Sequence, residues 1–157
     1  MRYYMIDRIT EFAAGEKAVG IKAVSYESEI LHDHFPGYPV LPGALLVESM
    51  AQLSGFLLEL SSNTRDCIRR ALLIKIDQAK FHNIAEPGDC LTLEARMDVL
   101  MDDAAGTTVR VMAGERKIAT ATLTFALKEV PIPEIHEQRK SIYRVWTRSC
   151  PNIPEIL

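Results

Sequence analysis

The sequence predicts an α+β fold in which one curled antiparallel β-sheet wraps a single long buried helix. Three observations lead there. Residues 44–60, ALLVESMAQLSGFLLEL, are apolar on almost every side and have the length of a helix. The segments before and after repeat their apolar residues with period two, as strands do. The connections between the later segments are short, which suits a single antiparallel sheet. A helix apolar all round needs a cover, and a curled sheet supplies one with few connections.

The elements follow in order. Residues 3–12 and 16–25 read as two strands joined by a turn at Ala13-Ala14-Gly15. The second strand sets Val19, Ile21 and Ala23 on one face and Lys22 on the other. Residues 26–42 end in a run dense in Pro and Gly, so no regular element is expected across them. The long helix follows, rich in Leu, Met, Ala and Gln. After a polar loop at 61–66, a strand from Arg70 sets Leu72, Ile74 and Ile76 on one face. Pro87-Gly88-Asp89 turns the chain into a strand in which Leu91, Leu93, Ala95, Met97 and Val99 alternate with Thr92, Glu94, Arg96 and Asp98. A turn at 102–106 precedes strands at 107–113 and 116–127. In the last of them Ala121, Leu123, Phe125 and Leu127 alternate with threonines.

Composition narrows the class. The chain has 157 residues, 48% of them hydrophobic, enough for one core without a metal or disulfide. Net charge is −3, which gives no basic excess for a nucleic-acid backbone. The apolar stretch at 43–60 carries Glu48, Gln52 and Glu59, too polar for an expected membrane span. The N-terminus shows no signal-peptide core. Three widely spaced cysteines, at 67, 90 and 150, suit neither a disulfide framework nor a zinc knuckle, so a cytoplasmic setting is expected. His32-Asp33-His34 alone cannot complete a tetrahedral metal site.

The chemistry concentrates at 32–52. Glu48 lies early in the apolar helix among Leu45, Val47, Met50 and Ala51. A carboxyl group in such surroundings is suited to act as a general acid. Gln52, at i+4, can hydrogen-bond to it. His34 precedes the rigid bend Phe35-Pro36-Gly37, and His is the usual proton carrier near neutral pH. Pro42-Gly43 opens the helix, where free N–H groups and the helix dipole suit an oxygen gaining negative charge. A base, an acid and an oxyanion donor suit proton abstraction alpha to a carbonyl with loss of a beta-hydroxyl.

The stretch HFPGYPVLPGALLVESMAQ resembles the active-site signature of the beta-hydroxyacyl-acyl-carrier-protein dehydratases, enzymes of the hotdog fold. Ile6-Asp7-Arg8, Lys80-Phe81 and Pro87-Gly88-Asp89 extend the likeness over most of residues 5–127. The resemblance implies dehydration of a (3R)-3-hydroxyacyl thioester, carried on acyl carrier protein, to the trans-2-enoyl thioester, with no cofactor. His34 would take the alpha proton, and Glu48 of the partner subunit would protonate the departing hydroxyl. Gly43, Phe35, Gly37 and Gln52 would contact substrate, with the Gly43 N–H on the thioester carbonyl. It also implies a homodimer, assembly of three dimers into a hexamer, and a cis peptide between His34 and Phe35. Asp33 stands where the family usually has Gly. That change and the altered termini suggest a specialised relative in a fatty-acid, polyketide or aryl-polyene pathway. The alternatives are a hotdog acyl-thioesterase and a non-catalytic acyl-binding module.

Residues 1–130 are therefore expected to form the catalytic domain and 131–157 an extension with a short amphipathic helix at 134–148. Ile135, Ile142, Val145 and Trp146 should dock on the body. Lys140, Arg144 and Arg148 run along the opposite face, suited to steer an acidic carrier protein.

Overall fold

A computed structural model describes residues 3–157. Six strands form one antiparallel sheet, β1 (Arg8–Ala13), β2 (Lys17–Ala23), β3 (Arg69–Phe81), β4 (Cys90–Leu100), β5 (Ala104–Ala113) and β6 (Arg116–Glu129), in the order β1-β2-β4-β5-β6-β3. Helix α2 (Gly43–Ser62) lies in its concave face, preceded by a short α1 (Glu29–Asp33) and joined from outside by α3 (Pro133–Thr147). This is the expected hotdog arrangement.

The apolar run of α2 explains its place. Met50, Leu53, Phe56, Leu57 and Leu58 are fully buried against Leu91, Leu93, Val109, Leu123 and Phe125 of the sheet. Burying one such side chain contributes roughly 1.5–3 kcal/mol. By length and mean hydropathy (1.2) α2 resembles a membrane span, but 61% of that window is buried inside the fold. The buried hydroxyls along α2 are paired: Thr107 Oγ1 donates to Ser54 Oγ at 2.8 Å, and Ser49 Oγ to the Leu45 carbonyl at 2.8 Å.

Several expectations need correction. The chain at 26–42 does hold a helix, α1, because its prolines and glycines come only after Asp33. Residues 3–7 are not strand: the Asp7 carboxylate instead accepts from the Ala23 amide at 2.7 Å and interrupts regular pairing. The turn expected at 102–106 is shorter, since β5 begins at Ala104 and Gly106 is already paired with Val99 and Thr124. In β2 the inner face belongs to Ala18 and Gly20, not to Val19 and Ile21. The helix comes so close that a Cβ at Gly20 would stand 3.2 Å from Leu53 Cδ1.

The largest correction concerns β3. Leu72, Ile74 and Ile76 do not share a face: Leu72 pairs with Ala126 of the outer row, a bulge between Leu73 and Lys75 shifts the register, and Ile76 pairs with the inward Leu123. All three are exposed, by 47%, 61% and 48%. Leu73 is also exposed, and β3 is an edge strand whose outer side has no neighbour in the sheet. Met97 and Val99 at the end of β4 are likewise only partly buried or exposed.

The extension is part of the core. Tyr143 and Trp146 of α3 are buried in the same cluster as Phe56, with ring centroids 5.1 and 6.4 Å from it. Val145, expected on the docked face, is exposed; Tyr143 takes that role. A buried polar knot fixes the contact. Glu59 Oε2 accepts from Arg70 at 2.8 Å and from the Tyr143 hydroxyl at 2.9 Å, while Glu59 Oε1 accepts from the Ala71 amide at 3.1 Å. Arg70 also donates to His136 Nδ1 at 2.8 and 3.1 Å, and His136 Nε2 donates to the Val130 carbonyl at 2.8 Å. Burial and the Glu59 carboxylate hold the Tyr143 hydroxyl well above the ordinary tyrosine range, against a smaller opposing pull from Arg139 and Arg70.

Candidate active site

The loop ahead of α2 is built by its prolines and glycines. Phe35 and Tyr38 exchange backbone hydrogen bonds at 3.0 and 2.8 Å around Pro36-Gly37, and Gly37 takes φ +75°, as the residue after proline in a type II turn requires. The His34–Phe35 peptide is cis. His34 is half-buried, and its Nδ1 lies 3.0 Å from the Val40 carbonyl oxygen. A carbonyl can only accept, so Nδ1 carries a proton, and in the neutral ring Nε2 is the nitrogen that keeps its lone pair. The His34 carbonyl in turn accepts from the Val40 amide at 2.9 Å, so both ends of the residue are tied to one position.

At the start of α2, Leu45 and Leu46 donate to the Pro42 carbonyl. The Gly43 and Ala44 amides find no carbonyl among the described residues. They remain donors at the positive end of a helix of 20 residues. The Phe81 ring lies across Gly43, and a Cβ there would stand 3.0 Å from two ring atoms. Glycine lets the ring come that close without a shift.

Glu48 is half-buried one turn further on and lines a cavity of about 680 Å³ between α2, β3, β6 and α3. Gln52 Nε2 donates to Glu48 Oε1 at 2.7 Å and to the Tyr3 carbonyl at 2.8 Å, and its Oε1 accepts from the Met5 amide at 2.8 Å. Every polar position of the amide except one lone pair is thus engaged, and the Glu48 carboxyl is held at one oxygen, the other having no partner among the described residues. Of the expected site residues, Glu48 and Gln52 line this cavity. His34, Phe35, Gly37 and Gly43 are not in its walls; Phe35 and Gly37 are exposed. The Asp33 side chain faces solvent.

The FabA-like domain family matches residues 1–122. The chain belongs to this family. Among curated relatives it is 34% identical over 127 residues to the 3-hydroxyacyl-acyl-carrier-protein dehydratase FabZ of Clostridioides difficile (strain 630), covering 81% of this chain and 88% of the relative. It is 37% identical over 125 residues to the FabZ of Desulforamulus reducens, covering 80% and 87%. Among solved structures, smu.793 from Streptococcus mutans UA159, bound to acetyl CoA, superposes with a TM-score of 0.65 at 17% identity over 82% of this chain and 93% of that one. The dehydratase heterocomplex ApeI:P from Xenorhabdus doucetiae gives 0.57 at 17% identity over 74% and 92%. At such identities these structures show the hotdog fold alone.

Sequence reasoning missed three contributors. Phe81 was read only as a strand residue, yet it covers the α2 N-terminus. Glu59 was noted only for its polarity, though a second carboxylate in the same apolar helix signals a buried partner such as Arg70. Arg139 of α3 lines the Glu48 cavity and carried no distinguishing mark among the basic residues of the tail.

Proposed function

We propose that this dehydratase converts a (3R)-3-hydroxyacyl thioester, carried on an acyl carrier protein, to the trans-2-enoyl thioester. The observation that carries the reading is the fixed orientation of two proton-transfer groups. Gln52 holds one oxygen of the Glu48 carboxyl in the wall of a cavity, and the Val40 carbonyl holds His34 by Nδ1 on a rigid loop, which leaves Nε2 for the substrate.

The chemistry follows from these groups. The thioester acidifies the alpha C–H, and His34 Nε2 takes that proton. The Gly43 and Ala44 amides with the helix dipole stabilise the charge that gathers on the thioester oxygen. The electron pair then forms the C2–C3 double bond and expels the beta-hydroxyl, which leaves as water with a proton from Glu48. One proton is taken and one given, so the pair resets by moving a proton from His34 to Glu48.

The acid and the base belong to different subunits of a homodimer. Support comes from two features: His34 is absent from the walls of the cavity that Glu48 lines, and β3 leaves Leu72, Ile74 and Ile76 uncovered on an open edge. An apolar unpaired edge invites a second copy of itself. Pairing two β3 edges would bring His34 toward Glu48 of the partner subunit.

The test is incubation with 3-hydroxyacyl thioesters on carrier protein. Formation of a conjugated enoyl thioester supports the reading. Release of free thiol without enoyl product would assign a thioesterase instead.

A further inference from the structure

Gly55 has no local reason to be glycine. It lies inside α2 on ordinary helical backbone and is not among the glycines with positive φ. Glycine weakens a helix interior relative to alanine, because it gives up more backbone freedom on folding. Nor is space lacking. Apart from its own helix and chain neighbours, a Cβ at Gly55 would meet one atom within 4 Å among the described residues, the Ala71 Cβ at 3.9 Å, an ordinary van der Waals contact. Gly20 and Gly43 differ, since a Cβ there would press on Leu53 at 3.2 Å and on Phe81 at 3.0 Å. An alanine fits at position 55 and would favour the helix. What the glycine leaves is room.

That room belongs to the Glu48 cavity. Along α2 the cavity is lined by Glu48, Ala51, Gln52 and Gly55, spaced to lie on one face. Glu48 and Gly55 are two turns apart, about 10 Å of helix rise. Ala71 of β3 faces Gly55, and both are buried, so this end is formed within one chain. Glu59, one turn further along α2, is not in the walls. Its carboxylate is taken by the Ala71 amide at 3.1 Å, by Arg70 at 2.8 Å and by the Tyr143 hydroxyl at 2.9 Å. Moving that buried pair aside would leave a charge unpaired, so the cavity has a fixed stop behind Gly55. Ala51, Ala71, Leu73 and Phe125 give the slot apolar walls, with Gln138 and Arg139 of α3 adding polar groups.

We propose that Gly55 is a specificity-determining residue: the side chain it lacks makes room for the tail of the acyl chain, so position 55 sets the longest 3-hydroxyacyl group the protein accepts. The inference rests on the dehydratase reading for the direction of the chain. Glu48 gives its proton at C3, so the carbons after C3 continue past it toward Gly55. A buried methylene contributes roughly fourfold in binding. Gly55→Ala takes the place of one carbon and Gly55→Val of three, which costs a long chain roughly fourfold and roughly 60-fold.

The experiment compares a four-carbon with a ten-carbon 3-hydroxyacyl thioester on the same carrier protein. Turnover is measured with full-length wild type, Gly55→Ala and Gly55→Val, and unreactive acyl thioether analogues of both lengths are titrated into each. Wild type should bind the longer analogue at least tenfold more tightly. The long-over-short ratio, in binding and in kcat/KM, should fall in Gly55→Ala and further in Gly55→Val. The denaturant midpoint of Gly55→Ala should equal or exceed that of wild type, which separates lost room from lost fold. Equal binding of both analogues by wild type overturns the proposal. So does a ratio that stays at its wild-type value in both variants, including the case in which both lengths weaken together because Gly55 only packs α2. A midpoint for Gly55→Ala well below wild type also overturns it, since the fold itself would then need the space. If no thioester is dehydrated but the binding ratio still falls in the variants, Gly55 keeps its role and the dehydratase reading fails. Dehydration with an unchanged ratio does the reverse.

Discussion

Gln52 donates its amide N–H to Glu48 across 2.7 Å, and the same amide is clamped between the Tyr3 carbonyl and the Met5 amide. The N-terminal segment thus sets the orientation of Gln52, and Gln52 sets that of Glu48. Glu48→Ala removes a proton-transfer group and should lower kcat by ~10²–10⁴-fold. Gln52→Leu removes only the aim. A hydrogen bond to the carboxylate that develops as Glu48 gives up its proton is worth about 1.5–3 kcal/mol, so the loss should be roughly 10- to 100-fold, and mainly in kcat. A Gln52→Leu enzyme with wild-type kcat would show that Glu48 needs no such support.

The base is tested through the subunit boundary. His34→Ala alone and Glu48→Ala alone should each be nearly inactive. In a mixed dimer one site regains both groups and the other has neither. Random exchange of subunits should therefore recover about a quarter of wild-type turnover if the sites are shared across a two-fold axis. Proven exchange without recovery would place acid and base in the same chain.

The α2 helix and the β6 strand were legible because each has one strong period. Seventeen residues with no polar face can only be a core helix, and Ala121, Leu123, Phe125 and Leu127 all point inward. The β3 strand was not, because Leu72, Leu73 and Ile74 are consecutive and leave no alternation from which to choose a face. Its apolar residues lie exposed on an open edge, and in the proposed homodimer they would answer to the partner subunit. Val19 and Ile21 misled for a different reason: the inner face of β2 must be small where Leu53 presses on it, so its residues are Ala and Gly. At the site, His34, Gly43, Glu48 and Gln52 sit in one continuous stretch whose residue types carry the chemistry. Arg139 lies far away in sequence, and only the docking of α3, fixed by the Tyr143–Glu59 contact, puts it in the wall of the cavity that Glu48 lines.

That contact makes a stability prediction. Glu59 and Arg70 are 1% and 2% exposed, and removing either leaves the other charge buried alone. Glu59→Ala should cost about 3–5 kcal/mol in denaturant unfolding. Tyr143→Phe should cost less, about 1.5–3 kcal/mol, since it removes one hydrogen bond to a charged acceptor. If α3 were merely laid on the surface, neither change would exceed about 0.5 kcal/mol.

The same tyrosine gives a pH signature. Its folded-state pKa lies well above the ordinary value of 10.0, so above that pH the folded chain holds a proton that the unfolded chain releases. The contribution is fully present below pH 10.0 and declines as pH rises beyond it. Unfolding followed in alkaline buffers should show stability falling with pH in the wild type, with a shallower fall in Tyr143→Phe. Parallel slopes would mean that other groups govern alkaline unfolding.

The outer face of α3 bears on the carrier protein. Arg144 and Arg148 are exposed and make no ion pair among the described residues, while Lys140 is held loosely by Glu137 at 3.6 Å. With Tyr143 and Trp146 buried beneath, this face is fixed on the same helix that walls the Glu48 cavity. A stripe of positive charge there would draw an acidic partner toward the site despite the net charge of −3. Such steering works at range and is screened within about 10 Å at 0.1 M salt. Replacing Lys140, Arg144 and Arg148 together by Glu should lower kcat/KM for the carrier-linked substrate and flatten its salt dependence. Turnover of a small thioester mimic, which carries no protein to steer, should stay near wild type. Equal losses on both substrates would mean that the substitutions disturb α3 itself, and the carrier would then have to dock elsewhere.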